Sequence, residues 1–144
     1  VKNDFYMKRI LLLTFLISVF SLQLVSAQTM RNSSGSRTGS IDSDGTIRNA
    51  SGSRSGKIDS DGTVRNSSGS RIGKIERDGT IRDASGSRLG AISTDGVVRN
   101  SSGSRIGQIE KDGTVRNASG SRIGSAAGIN PQWAAVVYFF MDFD

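Results

Sequence analysis

Cysteine and histidine are absent from this chain, and proline and tryptophan occur once each. Without Cys there is no disulfide, no thiol nucleophile, no thiolate metal site and no lipid-modified lipobox cysteine. Without His, the commonest general base and metal ligand is missing as well. Carboxylates alone can run acid–base chemistry, but here every acid of the repeats described below stands in or beside a turn motif. No apolar pocket is in view that would raise a carboxylate pKa. The expectation is a protein that is not an enzyme, with no catalytic residue, no cofactor and no metal.

Long apolar runs are scarce too. The one that exists lies near the beginning, in "MKRILLLTFLISVFSLQLVSAQ": Lys8 and Arg9, then apolar residues from Ile10 to Phe20, then "VSA" before Gln28. A basic segment, an apolar core and a small-x-small site describe a secretory signal peptide, cleaved after Ala27. Met7 is then the expected start, with residues 1–6 arising from upstream translation. The run is short for a membrane span, so no transmembrane segment is expected once the signal is gone. The expected location is outside the cytoplasm: periplasm, cell surface or medium, and not as a lipoprotein. Removing Lys2, Lys8, Arg9 and Asp4 leaves a mildly basic chain whose charges alternate along the sequence. A nucleic-acid protein tends to show a one-sided basic patch, so no nucleic-acid partner is expected.

What the chain has in abundance is self-similarity. Ile41, Ile58, Ile75, Ile92 and Ile109 recur every 17 residues, each opening a unit such as "IDSDGTVRNSSGSRIGK". A half unit, "TMRNSSGSRTGS" at 29–40, precedes the five full ones, and a decayed start, "AAGI" at 126–129, follows them. A fixed period of this kind signals a repeat architecture. Within a unit, Asp-Gly between β-forming residues marks a hairpin turn, because Gly accepts positive φ without steric penalty. "NSSGS" or "NASGS" marks a second turn, since Asn and Ser bond their own backbone. Between the turns lie the short strands "TIR"/"TVR" and "RIGKI".

Alternation along these strands assigns faces. Ile41, Ile58, Ile75, Ile92 and Ile109, with Ile47, Val64, Ile81, Val98 and Val115, are expected inside. Gly56, Gly73, Gly90, Gly107 and Gly124 fall on the same inner face, where a missing side chain lets strands approach a crowded axis. The position held by Thr38, Ser55, Ile72, Leu89, Ile106 and Ile123 reads as half exposed. A two-stranded hairpin is not stable alone, so the units must share one core. There are six "R(N/D)xSGSR" turns and five Asp-Gly turns, and the missing Asp-Gly turn falls where the two ends would meet. Complementary ends suit a closed ring in which the first strand pairs with the last.

The repeats span 28–128. The remaining segment, 129–144, differs in kind: "INPQWAAVVYFFMDFD" holds the proline, the tryptophan and a cluster of aromatics. Pro131 suits the first turn of a helix with Asn130 as its cap, over Pro131 to about Val137, although "AAVVYFF" would serve equally as a strand. Trp133, Tyr138, Phe139 and Phe140 are the side chains best able to plug one end of a small ring. A disordered tail and a sorting or membrane-contact signal are the alternatives.

The "IGKIDSDGTVRNSSGSRIG" repeats, the "SAQ" signal end and the tail "GINPQWAAVVYFF" together resemble the small secreted five-fold β-flower proteins of Bacteroidetes-type bacteria. The resemblance covers nearly the whole chain. It implies a compact all-β fold, a cyclic, propeller-like closed ring of β-hairpin petals about a central axis, to which the residues themselves add the 17-residue period and the C-terminal apolar, aromatic plug. It implies five petals; the six Ser-Gly turns make six the alternative, with one petal built from both ends. No catalytic residue carries over from it.

Two motifs invite functional claims. "D-x-D-G" at Asp42–Gly45 and Asp59–Gly62 hints at calcium, but the further oxygen ligands and distal Glu of a calcium loop are missing, and Ser93 replaces the first acid in the fourth unit. Hairpin chemistry explains these aspartates better. The Asn-x-Ser sequons are equally well explained as turn composition. The arginines are more open. Arg48, Arg65, Arg82, Arg99 and Arg116 should form one ring, and Arg54, Arg71, Arg88, Arg105 and Arg122 another. Each ring either pairs with neighbouring carboxylates or faces outward as a multivalent site for an anionic glycan, a phosphate or a cell-envelope surface. The expectation is an exported β-repeat protein that is structural or interaction-bearing. Its alternatives are a multivalent weak carbohydrate- or polyanion-binding module and an adhesive, self-assembling β-solenoid.

Overall fold

Every unit carries two turns, and both turns have one geometry. In the first, the Gly45 N–H donates to the Asp42 carbonyl at 2.9 Å and the Asp42 N–H to the Thr46 carbonyl at 2.9 Å. The Ser-Gly turn repeats this, with Gly52 N–H to Asn49 O at 3.0 Å and Asn49 N–H to Ser53 O at 2.9 Å. Each is a three-residue loop closed by a left-handed glycine, φ +85° at Gly45 and +88° at Gly52. Among the described residues none other than glycine has positive φ, so the aspartate is not itself left-handed, as a two-residue Asp-Gly turn would require.

The computed structural model describes residues 28–143, so the export segment expected over 1–27 lies outside the described residues. Twelve strands follow: β1 (Gln28–Asn32), β2 (Arg37–Ile41), β3 (Thr46–Asn49), β4 (Arg54–Ile58), β5 (Thr63–Asn66), β6 (Arg71–Ile75), β7 (Thr80–Asp83), β8 (Arg88–Ile92), β9 (Val97–Asn100), β10 (Arg105–Ile109), β11 (Thr114–Asn117) and β12 (Arg122–Ser125). They form one antiparallel barrel closed by β1 against β12. The ring therefore has six Ser-Gly hairpins, where the resemblance implied five petals. The chain still has only five Asp-Gly turns, and the sixth joint is made by its two ends.

Side-chain alternation carries through as expected. All ten isoleucines and valines expected inside are buried, as are the five strand glycines. Each set also has a sixth member from the irregular ends: Ala126 joins the Ile41 set, Met30 the Ile47 set and Gly39 the glycines, all three buried. In each Ser-Gly hairpin one residue is extra. Ile47 faces Gly56 and Arg48 faces Arg54, leaving Ser55 as a bulge. This is the position read as half exposed. Ile72, Leu89, Ile106 and Ile123 are indeed half-buried against the core, but Thr38 is exposed and Ser55 buried.

About eight strands make a barrel that its own side chains can fill. Twelve strands with glycine at one inward level leave an open axis, and the C-terminal segment occupies it. Pro131–Ala135 form a short helix, α1, capped by Asn130, whose side chain accepts from the Gln132 N–H at 2.9 Å. Val136–Phe140 continue as a π-helical turn in which the Met141 N–H reaches back to the Val136 carbonyl at 2.9 Å. Ala134, Ala135 and Val136 are wholly buried on the axis. The segment is helical rather than extended, and the plug it forms runs along the axis instead of sitting at one end alone. Trp133 lies at the mouth ringed by Asp-Gly turns, while Tyr138, Phe139 and Phe140 reach the glycines nearer the Ser-Gly mouth.

The tail meets those glycines in order. A Cβ on Gly124 would collide with Tyr138, on Gly107 with Phe139, on Gly90 with Phe140, on Gly73 with Met141 and on Gly56 with Phe143. Met30 covers the sixth, Gly39. A π-turn places more residues in each revolution than an α-turn, so successive side chains advance by smaller angles. That suits the fine angular spacing of a six-hairpin ring.

Candidate functional site

Alternation of charge along the chain becomes segregation in space. Each hairpin sends its Asp-Gly residues to one mouth and its arginines toward the other. Among the described residues, every carboxylate except Asp83 and Asp142 sits in an Asp-Gly turn, and every arginine except Arg77 sits beside a Ser-Gly turn. The barrel thus has an acidic mouth and a basic one. The expectation of no one-sided basic patch does not survive folding, because a hairpin sorts an alternating sequence by which end of the strand each residue occupies.

Arg48, Arg65, Arg82, Arg99 and Arg116 form the first arginine ring. Arg48 Nε donates to Asp42 at 2.9 Å, Arg65 to Asp59, Arg82 to Glu76 and Arg116 to Glu110, the last three at 2.8 Å. These pairs hold the Arg82 and Arg116 guanidinium pKa above its usual value, chiefly through the side-chain hydrogen bond. Each arginine of the ring also donates through Nη1 to a Ser-Gly turn carbonyl, as Arg48 does to Gly52 at 3.2 Å. Arg99 keeps only this turn bond, because Ser93 stands where the acid would be.

The second ring is disposed differently. Arg54, Arg71, Arg88, Arg105 and Arg122 are exposed, and Arg37 joins them from the half unit. None of these six forms a salt bridge among the described residues. Arg105 donates to Gln108 at 2.8 Å and Arg37 to Ser40 at 3.3 Å, both neutral acceptors. Each arginine of this ring faces another across its hairpin: Arg54 faces Arg48, Arg71 faces Arg65, Arg88 faces Arg82, Arg105 faces Arg99, Arg122 faces Arg116 and, in the half unit, Arg37 faces Arg31. Like charges directly opposed on a sheet are destabilising. One partner of most pairs is neutralised by its acid; the other is presented to solvent.

The acids themselves are structural. Asp44 Oδ1 accepts the Thr46 N–H at 2.9 Å, and Asp61, Asp78 and Asp112 repeat that bond. It is the main cause of their lowered pKa. Asp95 is lowered mainly by the Ser93 hydroxyl and Asp83 by the Ser85 hydroxyl. Among the described residues, no group of three or more His, Cys, Asp or Glu is placed to hold a metal ion. No helix there is long and apolar enough to cross a membrane.

Sequence reasoning missed the pairing of the two arginine rings within one hairpin. The signal was there in "R-N-x-S-G-S-R", whose two arginines flank a single turn. In comparisons with known proteins, a family model described as 5-fold beta-flower protein matches residues 27–142. No curated protein and no solved structure matches.

Proposed function

Since this chain belongs to the 5-fold β-flower family, built as a repeat ring, we propose that it is an exported, non-enzymatic interaction protein whose binding face is the arginine crown at the Ser-Gly mouth. The observation that carries this reading is the opposed arginine pair present in all six hairpins. A fold needing only solvated polar residues there would have no use for the like-charge cost. Guanidinium forks repeated around a ring suit a polymer carrying regularly spaced anions, each contact weak and the sum strong. The signal-like segment ending at Ala27 supports export toward envelope polymers, and the partner class that fits this reading is an acidic polysaccharide.

Heparin is a suitable soluble probe, titrated at several salt concentrations against the protein and a triple Arg54→Gln, Arg71→Gln, Arg88→Gln variant. The expected result is salt-sensitive binding weakened at least about tenfold in the variant. Equal binding by the variant would overturn the proposal. A preference for single-stranded DNA over heparin at matched charge would overturn the polysaccharide assignment.

A further inference from the structure

We propose that the opposite, acidic mouth holds a second binding site, independent of the arginine crown, for an uncharged oligosaccharide chain running across Trp133. The other aromatic side chains of the described tail lie against the strand glycines, whereas half-buried Trp133 stands at the mouth between two clefts. One cleft, about 640 Å³, opens where the sixth Asp-Gly turn is missing, and buried Ile109, Ala126 and Ile129 line it. The second, about 540 Å³, lies among the turns at 59–62 and 74–77. Both include Trp133 and Asn130, so they meet at the indole.

Each cleft sets carboxylates beside cations. Glu76 and Arg77 line one together with Asp59, Asp61 and Lys74, and Glu110 and Lys111 line the other together with Asp95. Glu76-Arg77 and Glu110-Lys111 are equivalent repeat positions, held in the other units by Asp42-Ser43, Asp59-Ser60 and Ser93-Thr94. A Glu followed by a cation therefore occurs in two units, and each of those units lines a different cleft beside Trp133. Glu76 and Glu110 are each anchored through Oε1 to an arginine at 2.8 Å, which fixes the carboxylate and leaves Oε2 as an acceptor. A neighbouring exposed cation supplies donors. A polymeric anion would meet the carboxylates and a cation would meet Arg77 and Lys111, whereas a sugar hydroxyl both donates and accepts. The indole adds an apolar face for the C–H side of a pyranose. Two open clefts on either side of one ring suit a chain rather than a single sugar, and barrel mouths commonly host ligands.

The single tryptophan is its own reporter. Titration with cello-, xylo-, manno- and chito-oligosaccharides, followed by tryptophan fluorescence and calorimetry, is expected to give saturable binding of at least one of them, unchanged by moderate salt. Trp133→Ala, checked by far-UV circular dichroism, should weaken it at least about tenfold. Thr94→Arg and Ser60→Arg, at turn positions where the third unit already carries Arg77, should each obstruct one cleft and weaken binding without touching the core. No saturable response to any of the four series would overturn the proposal, as would binding retained in all three variants. Loss of binding only in the triple arginine variant would assign it to the crown and likewise overturn the second site.

Discussion

Five joints of the ring are bridged by an Asp-Gly turn, and one is not. At a bridged joint such as β2–β3, three residue pairs register: Gly39 with Asn49, Ser40 with Arg48 and Ile41 with Ile47. The seam β1–β12 keeps the same register for two, Gly124 with Asn32 and Ser125 with Arg31, and the third pair is lost. Covalent connection is replaced by a side chain from the axis. Tyr138 Oη lies 2.8 Å from the Arg31 carbonyl and 2.9 Å from the Ser125 carbonyl, one on each side of the seam. Its single O–H is shared between them. A turn and a clamp thus do one job by different means: the turn keeps strand ends adjacent in the unfolded chain, and the clamp acts only once the tail is in place.

Breaking that clamp by removing 129–144 should have the largest effect. It takes Ala134, Ala135, Val136 and the aromatics from the axis, and burial of apolar side chains at about 1.5–3 kcal/mol each rivals a domain's whole stability of about 5–15 kcal/mol. Loss of near-ultraviolet ellipticity and of cooperative melting is the expected outcome. A cooperative melt in the truncated ring would show that the seam holds alone.

Gly107→Ala and Gly124→Ala sharpen the contrast. An added Cβ meets the Phe139 ring and the Arg116 carbonyl in the first, and the Arg31 carbonyl across the seam and the Tyr138 ring in the second. Overpacking of this kind costs about 1–3 kcal/mol. Position 107 must absorb it between bridged strands, whereas position 124 can relieve it by opening the seam. Amide exchange should accelerate locally at 31–32 and 124–125 in the Gly124 variant and globally in the other.

Tyr138→Phe removes the shared bond and should cost about 0.5–1.5 kcal/mol, with faster exchange confined to the same seam amides. Burial raises the Tyr138 pKa above 10.0. A raised folded-state value gives stability that is complete below the unfolded pKa and lost as pH rises through the folded one. The protein should therefore lose stability above pH 10.0, and Tyr138→Phe should remove that tyrosine's share of the loss. Acid acts on the other side of the comparison. The five turn aspartates have lowered pKa values, so their contribution is present above the ordinary aspartate value of 3.8 and is lost as pH falls through the lowered folded ones. Proton titration should loosen the five bridged joints while leaving the seam, which has no such carboxylate, unchanged. The smallest effect expected is from Ser93→Glu, which supplies Arg99 with the acid its ring neighbours have. Exposed pairs contribute about 0–1 kcal/mol, read as a small rise in melting temperature.

Most of the ring was legible because period-2 alternation and turn chemistry are local. Ile75 and Gly73 could be placed inside from "RIGKI" alone. Met30 and Ala126 were harder, because the ring's sixth members come from units that have lost their consensus. For 129–143, the Asn130-capped helix and the filling of the ring were legible, but the path through the barrel was not: its direction depends on the width of the finished ring, which no short window encodes. The arginine rings were visible as positions, but their inequality depends on which lies within reach of the acid at Asp42 or Glu76 once the strands pair.

The ordered contacts of Tyr138, Phe139, Phe140, Met141 and Phe143 with Gly124, Gly107, Gly90, Gly73 and Gly56 make the tail a tally of the ring. Repeats multiply easily by duplication, and nothing in one 17-residue unit limits their number. The terminal segment does. A duplicated unit would present a glycine with no side chain to cover it, and a deleted unit would leave an aromatic with nowhere to go. Copy number in this ring is thus held by a stretch of sequence that is not itself repeated, so ring and tail can change size only together.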